Sequence, residues 1–394
     1  MISIIASNKR VVFANPFRHH SFFTVWAVSR ATKDVHVLCP PLSLDILLKT
    51  WRFRSDFYST TSVLLLLCSF FLQLAFILHK LRVVTHARYV KIFNIITQQA
   101  LSRLGSCVLI CYQDYIDLRQ VPASVIVINE LINTSLPDSS NFSSTLRNAS
   151  NANLLVAPTG QLLNLFRRYQ SNKHTSIIAP YGGNKSAYLY NVNRNKVSET
   201  RIKTAKLINS FKVVARCHSY AKGGSMLLDS ICLLAEKIDP LQKFHIQICG
   251  NLYGTDMLNH FKQAQNYLKA YPNINISSKL YQPPEYLCKL KYADLFIMLS
   301  KSESQSLAAL EALYEGIPCI LTAECGINLF QNRRHGFIVP SNSPDVLSFL
   351  LCRLLKDTEE LKELRNNLKC DKNIFTWDSY IDAYQDAIAR LAYE

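Results

Sequence analysis

Three groups of polar residues, each placed just after an apolar run in the second half of the 394-residue chain, have the types and spacing to do chemistry. The run 211–215 is followed by Arg216 and, six residues on, by Lys222, Gly223 and Gly224 at the start of a helical pattern. Two cations beside a helix entry make a grip for phosphate, since both donate to anionic oxygens and the first N–H groups of a helix lack partners. After 245–249, Gly250 to Gly254 forms a turn that permits close backbone approach. After 295–299, Glu303 lies in the next loop, Ser304, Gln305, Ser306 and Leu307 lead into a helix, and Glu311 sits one or two turns in. Ser304–Ser306 are expected to supply unpaired N–H groups. Carboxylates accept from hydroxyls and N–H groups donate to phosphate, a combination that suits a sugar nucleotide. Each group also has a plainer reading: surface cations, an ordinary turn, and a carboxylate solvating the outer face of its helix.

The elements that position these residues alternate. In the first half, strands are expected at 11–14, 35–39, 107–111, 124–128, 154–157 and 176–179, with helices at 20–30, 88–104 and 161–170. The polar stretch 133–153 reads as a surface loop with room for one turn of helix. Residues 184–206 lack apolar periodicity and have the composition of a linker. A second set follows, with strands at 211–215, 245–249, 274–277, 295–299, 319–322 and 337–339. Helices are expected between them at 225–237, 257–270, 284–290, 306–315 and 344–356. Strand–helix alternation predicts parallel sheets covered on both faces, so the fold class is α/β with two doubly wound, Rossmann-like domains. In such folds ligands bind beyond the carboxyl ends of the strands.

Composition narrows the partners. Net charge is +16, and residues 1–186 carry 19 Lys and Arg against 7 Asp and Glu, so +12 of it falls in the first half. That imbalance points to an anionic partner: nucleic acid, a phosphate-bearing substrate or a membrane surface. Glycine is scarce, and seven of the eleven fall between Gly223 and Gly336, so constrained turns concentrate in the second half. The twelve cysteines include no C-x-x-C pair and read as small buried hydrophobes in a reducing cytosol. The start of the chain lacks an apolar stretch long enough for a secretory signal. Residues 57–78 carry no formal charge and are flanked by Arg52, Arg54, Lys80 and Arg82. Strands expected on both sides argue against a membrane crossing, while a buried helix and a helix lying on the membrane both remain open.

As an ordered set, the motifs from about residue 150 onward resemble retaining GT-B glycosyltransferases of family 4. They comprise Glu303 and Glu311 in E-x7-E spacing, Glu315-Gly316-Ile317-Pro318 after them, and Arg216-x5-Lys222-Gly223 after a strand. Tyr292-Ala293-Asp294, the run from His335 to Pro340, and Phe375-Thr376-Trp377-Asp378 opening a last helix complete the set, with Ile177 to Gly183 upstream. The resemblance implies an acceptor-side domain over 1–186, a linker over 187–205, a nucleotide-sugar donor domain over 206–375, and a terminal helix over 376–394 packing back on the first domain. The two domains would face a central cleft.

The resemblance further implies that Arg216 and Lys222 hold the donor diphosphate, in place of the divalent metal other transferases use. No metal and no cofactor beyond a UDP- or GDP-linked sugar co-substrate is expected. Glu303 would bind donor-sugar hydroxyls, Glu311 the ribose, and the backbone of Ser304, Gln305, Ser306 and Leu307, with Gly250, would line the donor site. Two departures stand out. Gln305-Ser306 replaces Phe-Gly between the glutamates, and the loop after the first strand, Asn15 to His20, has no glycine. His19, His20 and Glu130 are acceptor-side candidates, with His218 a further cleft candidate. The expected function is a cytoplasmic glycosyltransferase at the inner face of a membrane, acting on a glycan or lipid-linked acceptor in polysaccharide biosynthesis. A non-catalytic GT-B subunit and a GT-B sugar-nucleotide epimerase are alternatives. Nucleic-acid binding rests on charge alone, since no recognition motif occurs.

Overall fold

The computed structural model describes residues 10–14, 35–38, 75, 82–104, 107–111, 118–121, 123, 125–131, 142–167, 175–183, 210–281 and 283–393. The chain divides into two compact units, one of Met1–Pro180 with Asp378–Glu394 and one of Tyr181–Trp377.

In the first unit, β1 (Arg10–Ala14), β2 (Val35–Leu38), β3 (Cys107–Cys111), β4 (Val125–Glu130), β5 (Leu154–Ala157) and β6 (Thr175–Ile178) form one parallel sheet. Their order is β2-β1-β3-β4-β5-β6. Helices α1 (His86–Leu104), α2 (Phe142–Ala149) and α3 (Gly160–Arg167) accompany it, and the terminal helix Asp378–Tyr393 packs beside β6. Leu101, Leu109, Val127, Leu155 and Phe166 belong to its core. The polar stretch expected as a loop contains the two-turn helix α2, which buries Ala149. The expected helix at 20–30, the expected linker and all of 57–78 except the buried Ala75 lie outside the described residues. Among the described residues no helix is long and apolar enough to cross a membrane.

The second unit carries β7 (Ser210–Ala215), β8 (Lys243–Cys249), β9 (Ile274–Lys279), β10 (Leu295–Met298), β11 (Cys319–Thr322) and β12 (Gly336–Val339). All pair in parallel, in the order β12-β11-β10-β7-β8-β9. The central β10 and β11 are buried along their whole length, which is why they read as unbroken apolar runs rather than alternating ones. Helices α4 (Gly224–Ala235), α5 (Thr255–Tyr267), α6 (Pro283–Lys291), α7 (Leu307–Tyr314), α8 (Pro344–Lys356) and α9 (Thr358–Cys370) complete the unit. Helix α9 was not among the expected elements. It is mostly polar, and it is fixed by Asp357 capping the N–H groups of Glu359 and Glu360 and by burial of Leu361, Leu364 and Leu368.

The boundary of this unit also differs from expectation. Tyr181–Gly183 side with it because the Gly183 N–H donates to the Phe375 carbonyl at 2.7 Å and the Tyr181 and Trp377 rings lie 5.5 Å apart. A buried histidine ties β12 to the end of the unit. His335 is fully buried; its Nδ1 accepts from the Gln331 N–H, so Nε2–H donates to Asp371 Oδ2 at 2.8 Å. Arg334 donates twice to the same carboxylate. Those two partners hold the Asp371 carboxyl down at about 2, Arg334 contributing most, while burial lowers the His335 imidazole below its usual range. A depressed carboxyl stabilises the fold above about pH 4, the range of a free Asp, and loses that contribution as pH falls toward 2. Asp371 is one-fifth exposed, so solvent screens part of the effect. Asp371→Asn should therefore cost about 1 kcal/mol at pH 7 in urea unfolding, with the gap to the parent closing between about pH 4 and pH 2. A gap that stayed constant across that range would show that the charge contributes nothing.

Candidate functional site

In the second unit the chain runs from β7 through β8 and β9 to one edge, then returns to β10 beside β7 and proceeds to the other edge. The loops after β7 and β10 therefore part company at the topological switch point, which opens a crevice at the carboxyl end of the sheet. Arg216 leaves β7 into this crevice and Glu303 follows β10.

The two loops are joined. Lys222 Nζ pairs with Glu303 Oε1, the lysine side chain about a quarter exposed and the glutamate almost fully buried. Ser300 Oγ also donates to Glu303 Oε1, at 3.2 Å. The Lys301 N–H donates to the Ala221 carbonyl at 2.9 Å, and Thr322 Oγ1 donates to the Ser300 carbonyl at 2.6 Å, so β10's loop is fixed from both flanks. Ser219 caps the short 3-10 turn Tyr220–Lys222, and Gly223 closes it at φ 73°. A side chain at Gly223 would run into Leu299.

Arg216 is held differently. Its guanidinium donates to the Cys249 carbonyl at 2.7 Å and lies 5.6 Å from the centre of the Tyr286 ring. Tyr286, on α6, is buried with no hydrogen-bond partner for its hydroxyl among the described residues. Burial first, then the charge of Glu311, push that hydroxyl well up. Glu311 thus faces the interior near Arg216 and Tyr286 rather than solvating the outer face of α7, and it is only 8% exposed.

The entry to α7 corrects one expectation. Ser306 does not offer its N–H, which donates to the Cys325 carbonyl at 3.0 Å, while its hydroxyl caps the Ala309 N–H. Leu307 and Ala308 are the remaining first-turn N–H groups, for which neither the helix nor the Ser306 cap supplies an acceptor among the described residues. Gln305 turns away from this entry: its Oε1 accepts from the Tyr181 N–H at 2.7 Å. Gly250 is a genuine close approach, at φ 147°, but what approaches is the imidazole of His218. Burial, then Arg216 and Lys222, lower that imidazole to about 4.

Arg216, His218, Lys222, Gly250, Glu303 and Glu311 are thus brought to one crevice. His19 and His20 lie outside the described residues, and Glu130 ends β4 with its side chain outside them as well. Sequence reasoning missed Tyr286 and the Gln305–Tyr181 bond, neither of which has a local signal. Among the described residues no cluster of His, Cys, Asp and Glu could hold a metal ion.

Residues 205–370 match the family model described as Glycosyl transferases group 1. The D-inositol 3-phosphate glycosyltransferase of Corynebacterium diphtheriae is 24% identical over 58% of this chain, and the match spans only 53% of that relative's length. Sucrose-phosphate synthase of Thermosynechococcus elongatus superposes with a TM-score of 0.66 at 13% identity, covering 98% of this chain and 99% of its own. HepE of Anabaena, solved with UDP, gives 0.65 at 13% identity, covering 97% and 100%. The fold is therefore GT-B.

The geometry at Gly223 yields a test. Gly223→Ala and Gly316→Ala each place a side chain at similar positive φ, 73° and 78°, but only Gly316 has open space around the new methyl. The left-handed conformation alone costs about 1–2 kcal/mol. Gly316→Ala should show that cost and Gly223→Ala at least about 1–2 kcal/mol more in urea unfolding. Equal losses would mean that the Leu299 contact does not constrain the Lys222 loop.

Proposed function

Since residues 205–370 match the family model of group 1 glycosyl transferases and the fold is GT-B, we propose that this chain moves a sugar from a nucleoside-diphosphate sugar to an acceptor hydroxyl, with the anomeric configuration retained. The observation that carries the reading is the junction of Lys222 and Glu303 across the switch point, with Arg216 beside it.

In this reading the donor diphosphate lies against Arg216, Lys222 and the N–H groups of Leu307 and Ala308. Glu303 accepts from hydroxyls of the donor sugar while remaining paired with Lys222, and Glu311 accepts from the ribose. The bond from the anomeric carbon to the diphosphate oxygen breaks, and its electron pair leaves with the diphosphate. The acceptor oxygen bonds the same face of the carbon, and its proton passes to the departing phosphate oxygen. Charge builds on that oxygen in the transition state, so the two cations do most of the catalysis, doing without a divalent metal. Positioning of the acceptor supplies the rest.

The acceptor proposed is a glycan or lipid-linked glycan carrying phosphate or lying at an anionic membrane. The excess of +12 in residues 1–186 supports it, as does the Corynebacterium relative, which is named for a phosphorylated acceptor. His19, His20 and Glu130 are the residues proposed for that side.

Lys222→Ala and Glu303→Ala should each lower kcat for donor turnover about 10²–10³-fold when assayed below the unfolding temperature of each variant, with Lys222→Ala the less stable of the two because it leaves the buried Glu303 without its cation. Magnetic resonance of the product should show the donor's anomeric configuration. Unchanged turnover in Lys222→Ala would remove the lysine from the mechanism, and an inverted product would contradict retention. A parent protein that binds nucleotide but turns over no donor would leave the non-catalytic GT-B reading.

A further inference from the structure

His218 lies between the two cations in sequence, and its surroundings are unusual. It follows β7 by three residues, and its ring packs against the backbone of Gly250, where a Cβ would come within 2.8 Å of Cγ. The Tyr253 N–H donates to the His218 carbonyl at 3.0 Å, which fixes the backbone of one turn on the other. Nδ1 is buried and has no hydrogen-bond partner among the described residues. A proton on Nδ1 would therefore be a buried donor without an acceptor, a costly arrangement. The ring is held neutral with its hydrogen on Nε2, and only half-buried overall, so Nε2 is the nitrogen left to meet a ligand.

The charged groups around it agree. Arg216 and Lys222, from the same loop, both disfavour a third positive charge. The β8–α5 turn packed against the ring presents the backbone of Gly250, with the Cys249 thiol, itself pushed up to about 11 by burial, next in the chain. Across the crevice Glu303 is already paired with Lys222.

We propose that His218 is a third diphosphate-contacting residue, a neutral imidazole that donates Nε2–H to a phosphate oxygen of the nucleotide between Arg216 and Lys222. It rests on the functional reading above and adds to it a donor that does not titrate over the working pH range. Gly250 is part of the device, because any side chain there displaces the ring.

The test uses isosteres. Gln places its amide nitrogen near the position of Nε2, whereas Asn places it near Nδ1. Binding of UDP, GDP and ADP is measured by titration calorimetry on the full chain, with thermal unfolding recorded for each variant. For whichever nucleotide binds, His218→Gln should stay within about threefold of the parent, while His218→Asn and His218→Ala should weaken binding about tenfold or more. The ratio of parent to His218→Gln affinity should be constant from pH 5.5 to 8, since the nucleotide's own titration cancels in it. Gly250→Ala should weaken binding as His218→Ala does. Equal affinity in parent and His218→Ala would overturn the inference, as would equal losses in Gln and Asn. A pH-dependent ratio would show an imidazole that charges, and would overturn it too. If none of the nucleotides binds the parent, the functional reading itself fails, and the inference falls with it.

Discussion

The ion pair between Lys222 and Glu303 is the interaction on which the second unit's chemistry depends. Parallel pairing of β7 with β10 brings the ends of two strands together, yet their loops lead to helices on opposite sides of the switch point. Without a link those loops would be set only by their own turns. The pair, with the Lys301–Ala221 hydrogen bond beneath it, makes a cation from one loop and a carboxylate from the other a single unit. A buried carboxylate requires such a partner, because its desolvation is otherwise uncompensated. The same pair leaves a lysine partly exposed in the crevice, where an anion can share it.

Around this junction the sequence spends its scarce glycines. Gly223 lets the Lys222 turn close against Leu299, Gly250 admits the His218 ring, and Gly326 lets the Cys325 turn lie against the Ser304 carbonyl. The Cys325 carbonyl then takes the Ser306 N–H. The loops after β7, β8, β10 and β11 are in this way packed against one another, and these backbone constraints help to place the residues facing the crevice.

Much of this was legible in the sequence, for identifiable reasons. Buried parallel strands such as β10 and β11 are continuous apolar runs bounded by polar turns, so their existence and near-exact limits can be read. The residue types at the strand ends could be read as well, since Arg216, Lys222, Glu303 and Glu311 each follow such a run. What could not be read is pairing across the chain. The bond from Tyr181 to Gln305 joins residues 124 apart, and only the fold shows that Gln305 faces the Tyr181 backbone instead of a ligand. Helix α9 was missed although Asp357 and the spacing of Leu361, Leu364 and Leu368 signal it; a mostly polar sequence hid a narrow apolar stripe. Ser306 illustrates a third limit: its N–H was expected at the site, and the Cys325 turn takes it.

The account's central claim is that the crevice recognises a diphosphate through Arg216 and Lys222. It is tested most directly by comparing the affinities of a nucleoside, its monophosphate and its diphosphate for the parent and for Arg216→Ala. The account predicts that affinity rises from nucleoside to diphosphate in the parent, and that the step from monophosphate to diphosphate shrinks about tenfold or more in the variant. A step of equal size in both proteins would contradict it.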